Sequence, residues 1–224
     1  EVADLMQRYD LDAIPVVNVQ GRLLGRITID DVVDVITEQA SSDTLTMAGL
    51  TGEVEEDDTV FKQIKARLPW LLVGMLGGIL AAKFIGFFED DLKVIPAMAA
   101  FIPIIGSTGG NVGIQTSSII LQSLADKSGL DASVWTRLFK MVGVAFINGL
   151  IISAIVFGFN LLIGNELQLS FVVSGALMSV VFIASFMGTV TPLVLDKLGI
   201  NPAVASGPFI TTSNDLLGYA IYFG

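Results

Sequence analysis

The sequence predicts an all-α polytopic membrane protein with five transmembrane helices, the second one broken, preceded by a partial α/β element and a connecting helix. Of the 224 residues, 53% are hydrophobic and 15% are charged, whereas a soluble domain carries roughly 25% charged residues. The charge is divided unevenly, because residues 1–67 hold 14 acidic and six basic side chains whereas residues 68–224 hold eight and six. An acidic polar segment is therefore joined to an apolar one.

Five apolar segments after residue 67 are long enough to cross a membrane, since a crossing needs about 20 mostly apolar residues. They lie at about 68–88, 94–124, 138–163, 169–195 and 203–223. A soluble helical core is the alternative interpretation. Five long segments whose connecting loops alternate in charge disfavour it.

Basic residues flank the predicted crossings on one side of the membrane. Seven lie on that side: Lys62, Lys65, Arg67, Lys127, Arg137, Lys140 and Lys197. Only Lys83 and Lys93 belong to the opposite side. Because loops rich in Lys and Arg stay in the cytoplasm, we expect a multi-pass protein of the cell (inner) membrane with a cytoplasmic N-terminus and an external C-terminus.

Composition excludes several classes of function. The chain has no cysteine and no histidine, so disulfides, Cys/His zinc sites and catalysis by Ser-His-Asp or Cys-His are excluded. A net charge of −10 argues against nucleic-acid binding, which needs a basic face. Metal chemistry must then use oxygen ligands, which suit Mg²⁺ and similar hard cations. The N-terminus is polar, resembles no signal peptide and lacks an initiating Met, so we expect a fragment of a longer protein.

Asp215 is the acidic residue that the sequence places near the middle of a predicted crossing. Ionisable residues at membrane depth are costly and are candidates for function. Thr211 and Thr212 lie one helical turn before it and Gly207 about two turns before, so a narrow polar stripe is expected. A buried structural aspartate is the alternative. Lys83 lies near the end of its crossing and is expected to extend to the headgroups.

Polar side chains also concentrate in the second predicted crossing and cannot all face lipid. They are Ser107, Thr108, Asn111, Gln115, Thr116, Ser117 and Ser118. Gly109 and Gly110, after Pro103 and beside Asn111, predict a broken helix that exposes carbonyl oxygens to a cavity, because such backbone needs protein or water around it. Small-residue helix packing is a compatible alternative.

A single carboxylate per chain is a sparse site for a divalent cation. A two-fold homodimer, the commonest oligomer, would place two copies of Asp215 around one axis within the lipid bilayer. Mg²⁺ gives up its water reluctantly, and two carboxylates acting through water attract a hydrated ion without trapping it, as conduction requires.

The N-terminal segment predicts a strand at 14–19, a turn at Gln20–Gly21, a strand at 23–28 and a helix from about Asp30. Thr28 is the expected N-cap of that helix. The pattern resembles the second half of a CBS domain, and the resemblance implies that Thr28 and Asp31 contact a nucleotide when the CBS pair is intact. Capping of the helix is the alternative role of these two residues.

Acidic residues accumulate between about 30 and 58. A solvated helix face and an acidic linker form the simpler interpretation of such a charge run. The functional interpretation is a cytoplasmic divalent-cation sensor, whose candidate residues are Asp34, Glu38 and Asp43.

Three motifs together resemble the MgtE family of magnesium channels and transporters. They are Arg67-Leu68-Pro69-Trp70-Leu71, Gly109-Gly110-Asn111-Val112-Gly113-Ile114-Gln115, and Asn201-Pro202-Ala203 followed by Ser206-Gly207-Pro208-Phe209-Ile210-Thr211-Thr212-Ser213-Asn214-Asp215. The resemblance implies three regions: residues 1–39 as the C-terminal part of a CBS domain, 40–67 as a cytoplasmic connecting (plug) helix, and 68–224 as the transmembrane pore domain.

The family resemblance also implies roles for individual residues of a homodimeric Mg²⁺ channel gated by cytoplasmic Mg²⁺. Asp215 matches the selectivity aspartate, and Thr211, Gly207, Gly110 and Asn111 match pore-lining positions. The implied ion is Mg²⁺, both transported and regulatory, with other divalent ions such as Mn²⁺ as further candidates.

At two positions the chain departs from the family pattern, and both changes weaken the expected closure of the channel by cytoplasmic Mg²⁺. Asn201 stands where many members have Asp, and Ser42 where many have an acidic residue. An ion-coupled secondary transporter of divalent cations is the alternative function, because a lone aspartate can also carry a proton. An enzyme is not expected, since aspartyl catalysis needs two carboxylates at one site.

Overall fold

A computed structural model of the chain describes residues 2–125, 134–205 and 207–224. Lys127 and Ser206, which the sequence analysis used, lie outside these ranges. The described part contains eight α-helices and one two-stranded sheet. It divides into two compact units, residues 1–45 and 46–224.

The first unit has the predicted order of strand, turn, strand and helix, preceded by α1 (Val2–Tyr9). Strands β1 (Ala13–Val17) and β2 (Leu23–Thr28) are antiparallel, with Ile14 opposite Ile27. β1 ends two residues earlier than predicted. In the turn, the Asn18 side-chain oxygen accepts hydrogen bonds from two backbone N–H groups, those of Gln20 and Arg22.

Helix α2 (Ile29–Met47) begins directly after β2. Thr28 pairs with Asp31, whose Oδ2 accepts the backbone N–H of Thr28 at 2.8 Å and its hydroxyl at 2.7 Å. Because the Thr28 hydroxyl donates in this pair, its role as the acceptor for a helix N–H stays a prediction. The hydroxyl and the backbone N–H of Thr28 hold the pKa of Asp31 below its usual value. The acidic side chain also lies in the first turn of the helix, where the helix dipole favours negative charge.

The prediction that residues 40–67 form a single connecting helix is wrong. Helix α2 ends at Met47 and helix α3 (Val60–Gly86) begins thirteen residues later, with the Thr59 hydroxyl accepting a hydrogen bond from the backbone N–H of Lys62. Gly49 and Gly52 lie between them with φ angles of +77° and +76°. This left-handed conformation ends a helix and is tolerated well by glycine.

The remaining helices form the apolar part of the second unit. After α3 come α4 (Glu89–Val94), a 3₁₀ segment (Pro96–Phe101), α5 (Ile102–Ala125), α6 (Val134–Leu162), α7 (Leu167–Lys197), a second 3₁₀ segment (Pro202–Ala205) and α8 (Pro208–Phe223). Within the described residues, four segments are long and apolar enough to cross a membrane: α3, the first 3₁₀ segment with α5, α6 and α7. Helix α8 has 16 residues, fewer than the roughly 20 that a crossing needs.

The break predicted at Gly109–Gly110 is wrong, because α5 runs from Ile102 to Ala125 without interruption. Both glycines are buried and lie against α8, so their missing side chains serve close helix packing. The interrupted segment is the fifth one predicted. There Gly207, with φ at +61°, and Pro208 separate the second 3₁₀ segment from α8.

Helix α7 forms the centre of the second unit and packs against α5, α6 and α8. Val173, Leu177 and Val180 are at most 2% exposed and join Ile105 of α5 in the main apolar cluster. The cluster reaches the end of α8, where the Tyr222 hydroxyl donates to the Met98 carbonyl at 3.0 Å. Helices α5 and α8 are thus held against one face of α7.

Gly188 of α7 tests this close packing. A Cβ atom there would lie 2.6 Å from the Gly113 carbonyl oxygen and 3.2 Å from the Ser117 backbone nitrogen. We expect Gly188→Ala to lower stability in detergent by about 1–3 kcal/mol, the usual effect of overpacking. Gly175→Ala is the matched control on the same helix, because a Cβ atom there meets nothing within 4 Å. Thermal unfolding of both variants checks this, and equal effects would contradict it.

The Thr28–Asp31 pairing gives a second prediction. Asp31→Asn should reduce protection of the first turn of α2. Because the folded-state pKa is lowered, the stabilisation is fully present above the unfolded pKa of about 3.9 and is lost as the pH falls through the folded value. Hydrogen exchange followed by mass spectrometry on the whole chain measures the difference. Asp30→Asn is the control in the same turn. A wild-type advantage that persists under strongly acidic conditions would contradict the assignment.

Candidate cation site in the membrane half

Asp215 lies at the eighth position of α8, near its middle. Helical spacing places Gly207, Thr211, Asp215 and Tyr219 along one face. The Thr211 hydroxyl donates to the Gly207 carbonyl at 2.9 Å, so this hydroxyl is committed to the first turn of the helix. The carboxylate of Asp215 is therefore the strongest cation ligand on that face.

The Asp215 carboxylate has an oxygen without a protein partner. Its Oδ1 atom is buried and forms no hydrogen bond with any residue that the structure describes. It lies close to α5, since a Cβ atom built on Gly110 would be 3.6 Å from it. Removing a carboxylate from water without a compensating partner is costly, so the arrangement favours a cation or a proton from outside the chain.

A cavity of about 290 Å³ adjoins Asp215 between α3 and α8. Thr212 and Tyr219 contribute its polar groups beside Asp215. Its α3 wall consists largely of the small residues Gly74, Gly77, Gly78, Ala81 and Ala82. These residues leave room that larger side chains would fill, and Gly77 also admits Thr212, whose methyl group occupies the position that a Cβ would take.

The polar residues of α5 divide between two faces. Ser107, Asn111 and Gln115 are exposed and are spaced by four residues, so they form one stripe. Thr116 and Ser117 are buried against α7, where the Thr116 and Ser185 hydroxyl oxygens lie 3.4 Å apart. Small-residue helix packing is therefore present, and the exposed polar stripe lies on a continuous helix instead of at a break.

Gly207 is confined to glycine by its surroundings. Its φ angle is +61°, and the backbone carbonyl oxygen of Met47 occupies the space that a Cβ atom would take. The position therefore contributes backbone only to the site. Gly49 similarly lies against Pro208, with only 2.7 Å between Pro208 Cγ and the position of a Cβ on Gly49.

Asn214 belongs to the motif that ends at Asp215, but it was not among the predicted site residues. Its side chain is 1% exposed and its Nδ2 donates to the Gly109 carbonyl at 3.3 Å. The polar carboxamide next to the mid-helix acid was the available signal. Asn214 ties α8 to α5 immediately beside Asp215.

The predicted sensor residues are not gathered within one chain. Asp34 and Glu38 are exposed and one turn apart on α2. Asp43 follows Asp34 by nine residues, which places it on the opposite side of the helix, and it accepts a hydrogen bond from Gln39 at 2.9 Å. Across the described ranges, no group of three or more acidic residues is close enough to hold a metal ion. Their role as a sensor, and the nucleotide role of Thr28 and Asp31, stay predictions.

Comparison with known proteins gives a consistent family. The MgtE family model, described as a divalent cation transporter, matches residues 102–224, and the CBS domain model matches residues 1–38. The magnesium transporter MgtE of Bacillus subtilis is 34% identical over 224 residues, covering 100% of this chain and 50% of that protein.

Two further relatives have the same printed name. Magnesium transporter MgtE of Thermus thermophilus is 36% identical over 229 residues, covering 99% of this chain and 50% of the relative. That of Enterococcus faecalis is 34% identical over 226 residues, covering 100% and 49%. The chain spans about half the length of the curated relatives it matches. Because the family model covers more than half of the chain and its apolar helices agree with it, this multi-pass membrane chain belongs to the MgtE family of divalent cation transporters.

Proposed function

We propose that the chain forms a Mg²⁺ channel, with the permeating ion held at Asp215. The observation that carries the proposal is the buried Oδ1 atom of Asp215, which lacks a hydrogen-bond partner among the described residues and lies beside the glycine face of α5. The name of the relatives, magnesium transporter, supports Mg²⁺ as the ion. A cation near this oxygen offsets the cost of burying it.

The proposed pore lies between two copies of the chain. In one copy, the stripe of Ser107, Asn111 and Gln115 is exposed on a helix that is apolar enough to cross a membrane. Such polar groups need water or protein around them at membrane depth. A two-fold partner that faces this stripe, with Gly110, Thr211 and Asp215 beside it, encloses an aqueous path.

Two facing carboxylates fit a hydrated Mg²⁺ better than a stripped one. Mg²⁺ keeps several waters and demands near-octahedral geometry. The two carboxylates attract the hydrated ion electrostatically, while the retained water weakens binding enough for the ion to leave. Gly207 offers no side-chain ligand, so Asp215 is the dominant charge of the proposed path.

A fifth crossing completes the proposed channel. The 3₁₀ segment Pro202–Ala205 and α8 together supply the length that α8 alone lacks. Five crossings place the N-terminus in the cytoplasm and the C-terminus outside, in accord with the basic residues in the N-terminal turns of α3. The acidic residues of the first unit then lie on the cytoplasmic side, where they bind Mg²⁺ and reduce flux.

Replacement of Asp215 tests the channel directly. Asp215→Asn keeps the shape of the side chain but removes its charge, so Mg²⁺ flux into proteoliposomes should fall at least about a hundredfold, as for other costly losses of a buried charge contact. Asp196→Asn is the matched control, because Asp196 is exposed near the end of α7. Size-exclusion chromatography with light scattering should show the same dimer for both variants. Undiminished flux through Asp215→Asn would refute the proposal.

The same vesicles distinguish the channel from an ion-coupled transporter. Flux through a channel should depend on the Mg²⁺ gradient and the membrane potential, without a requirement for a Na⁺ or proton gradient. Flux that requires either gradient would establish coupling and replace the channel mechanism.

Neutralisation of the sensor candidates tests the regulation. Asp34→Asn, Glu38→Gln and Asp43→Asn combined should weaken inhibition by Mg²⁺ on the N-terminal side, because fewer carboxylates remain to bind the ion. The matched control neutralises Glu89, Asp90 and Asp91 of α4, which face the opposite side in the proposed topology. Patch recordings at graded Mg²⁺ measure the effect. An unchanged inhibition curve in the triple variant would refute the sensor role.

A further inference from the structure

Asn214 is held in a slot on α5 that two glycines form. The side chain is 1% exposed, and its Nδ2 donates to the carbonyl of Gly109 at 3.3 Å. One turn further along α5, a Cβ atom at Gly113 would collide with the same Nδ2. The carboxamide therefore fits only because Gly113 lacks a side chain, while Gly109 supplies the carbonyl that it bonds.

The slot is a specific polar contact in otherwise apolar surroundings. The Oδ1 atom of Asn214 has no hydrogen-bond partner in the part of the chain that the structure describes, so an apolar side chain would avoid a buried unpaired group. Buried polar atoms without a hydrogen-bond partner are concentrated at functional sites. The carboxamide is poorly explained by stability alone.

The position of Asn214 links it mechanically to the ion site. Consecutive residues on a helix point about 100° apart, so Asn214 faces α5 while Asp215 lies beside Gly110 and the cavity on α3. A carboxylate lies roughly 5 Å from the helix axis, so rotation of α8 by about 10° moves it by about 1 Å. Fixing the carboxamide in its slot fixes that rotation.

We propose that Asn214 is a positioning residue that sets the spacing of the Asp215 carboxylates and thereby the discrimination of Mg²⁺ from larger divalent cations. The inference rests on the proposed function of Asp215. Ca²⁺ binds oxygen at longer distances than Mg²⁺ and tolerates irregular geometry. A site whose carboxylates are free to shift by about an ångström therefore loses its preference for Mg²⁺ before it loses conduction.

The main experiment compares two buried asparagines in the whole chain. Asn214→Ala should keep the dimer and carry Mg²⁺ above the level of Asp215→Asn, while the ratio of Mg²⁺ to Ca²⁺ flux falls about tenfold, as for residues that orient metal ligands. Asn160→Ala is the matched control. Asn160 is also fully buried, on α6, and bonds the Val156 carbonyl and Asn165. Its loss should reduce stability and leave the flux ratio unchanged.

A double-mutant cycle tests the slot itself. Gly113→Ala should displace the carboxamide and lower the flux ratio as Asn214→Ala does. The double variant should show no further decrease, because both changes remove one and the same contact. Additive decreases would show that the two positions act independently and would overturn the proposal.

The possible outcomes distinguish a failure of the positioning role of Asn214 from a failure of the proposed channel function. A wild-type flux ratio in Asn214→Ala, or an equal decrease in Asn160→Ala, would overturn the positioning role even where Asp215→Asn abolishes flux. Unchanged flux in Asp215→Asn would instead overturn the channel. Asn214→Ser, which retains a smaller donor, should give an intermediate ratio. Failure of all three slot variants, Asn214→Ala, Asn214→Ser and Gly113→Ala, to form the dimer would assign Asn214 to folding alone and overturn the proposal.

Discussion

The close approach of α5 and α8 is the constraint on which the membrane half depends. Small residues on α5 admit the side chains of α8 so closely that Cβ atoms at Gly106 and Gly113 would collide with Tyr219 and Asn214. This approach places Asp215 beside Gly110 and buries both helices against α7. Lipid offers no hydrogen bonds, so polar groups at membrane depth need partners within the protein. The small residues supply them by letting the two helix backbones come close together. The close contact of α5 and α8 therefore determines both the geometry around Asp215 and the stability of the helix packing.

The sequence predicted those features that depend on local composition. The lengths of the apolar segments predicted α3, α5, α6 and α7 to within a few residues at most of their ends. This works because nearly every residue of a membrane crossing must be apolar. The hairpin was also predicted, because the chemistry of a turn is local. The sequence singled out Asp215 as a candidate, because the short side chain of an aspartate cannot reach water from the middle of a membrane crossing. The contact between its neighbour Asn214 and Gly109 was not predicted, because the two residues lie 105 positions apart in the chain.

Glycine explains the two errors of chain geometry. The pair Gly109–Gly110 was interpreted as a break, but glycine permits both a break and a close contact, and only the facing helix decides between them. Conversely, Gly49 and Gly207 adopt positive φ angles and do interrupt helices. The three sensor candidates show a related difficulty, since Asp34 and Asp43 share one helix but face opposite sides. Counting the charges along the chain does not show on which side of the helix each acidic residue lies.

The length of α8 ties the proposed fifth crossing to bilayer thickness. Sixteen residues extend about 24 Å, less than the hydrocarbon core of about 30 Å. The first turn of α8 then begins inside the hydrocarbon, where free N–H groups at a helix start are expensive. Pro208 removes one of those donors, and the preceding Ala203 and Ala205 are at most 2% exposed. Tilting relieves only a helix that is too long, so in the proposed crossing the bilayer must become thinner around α8.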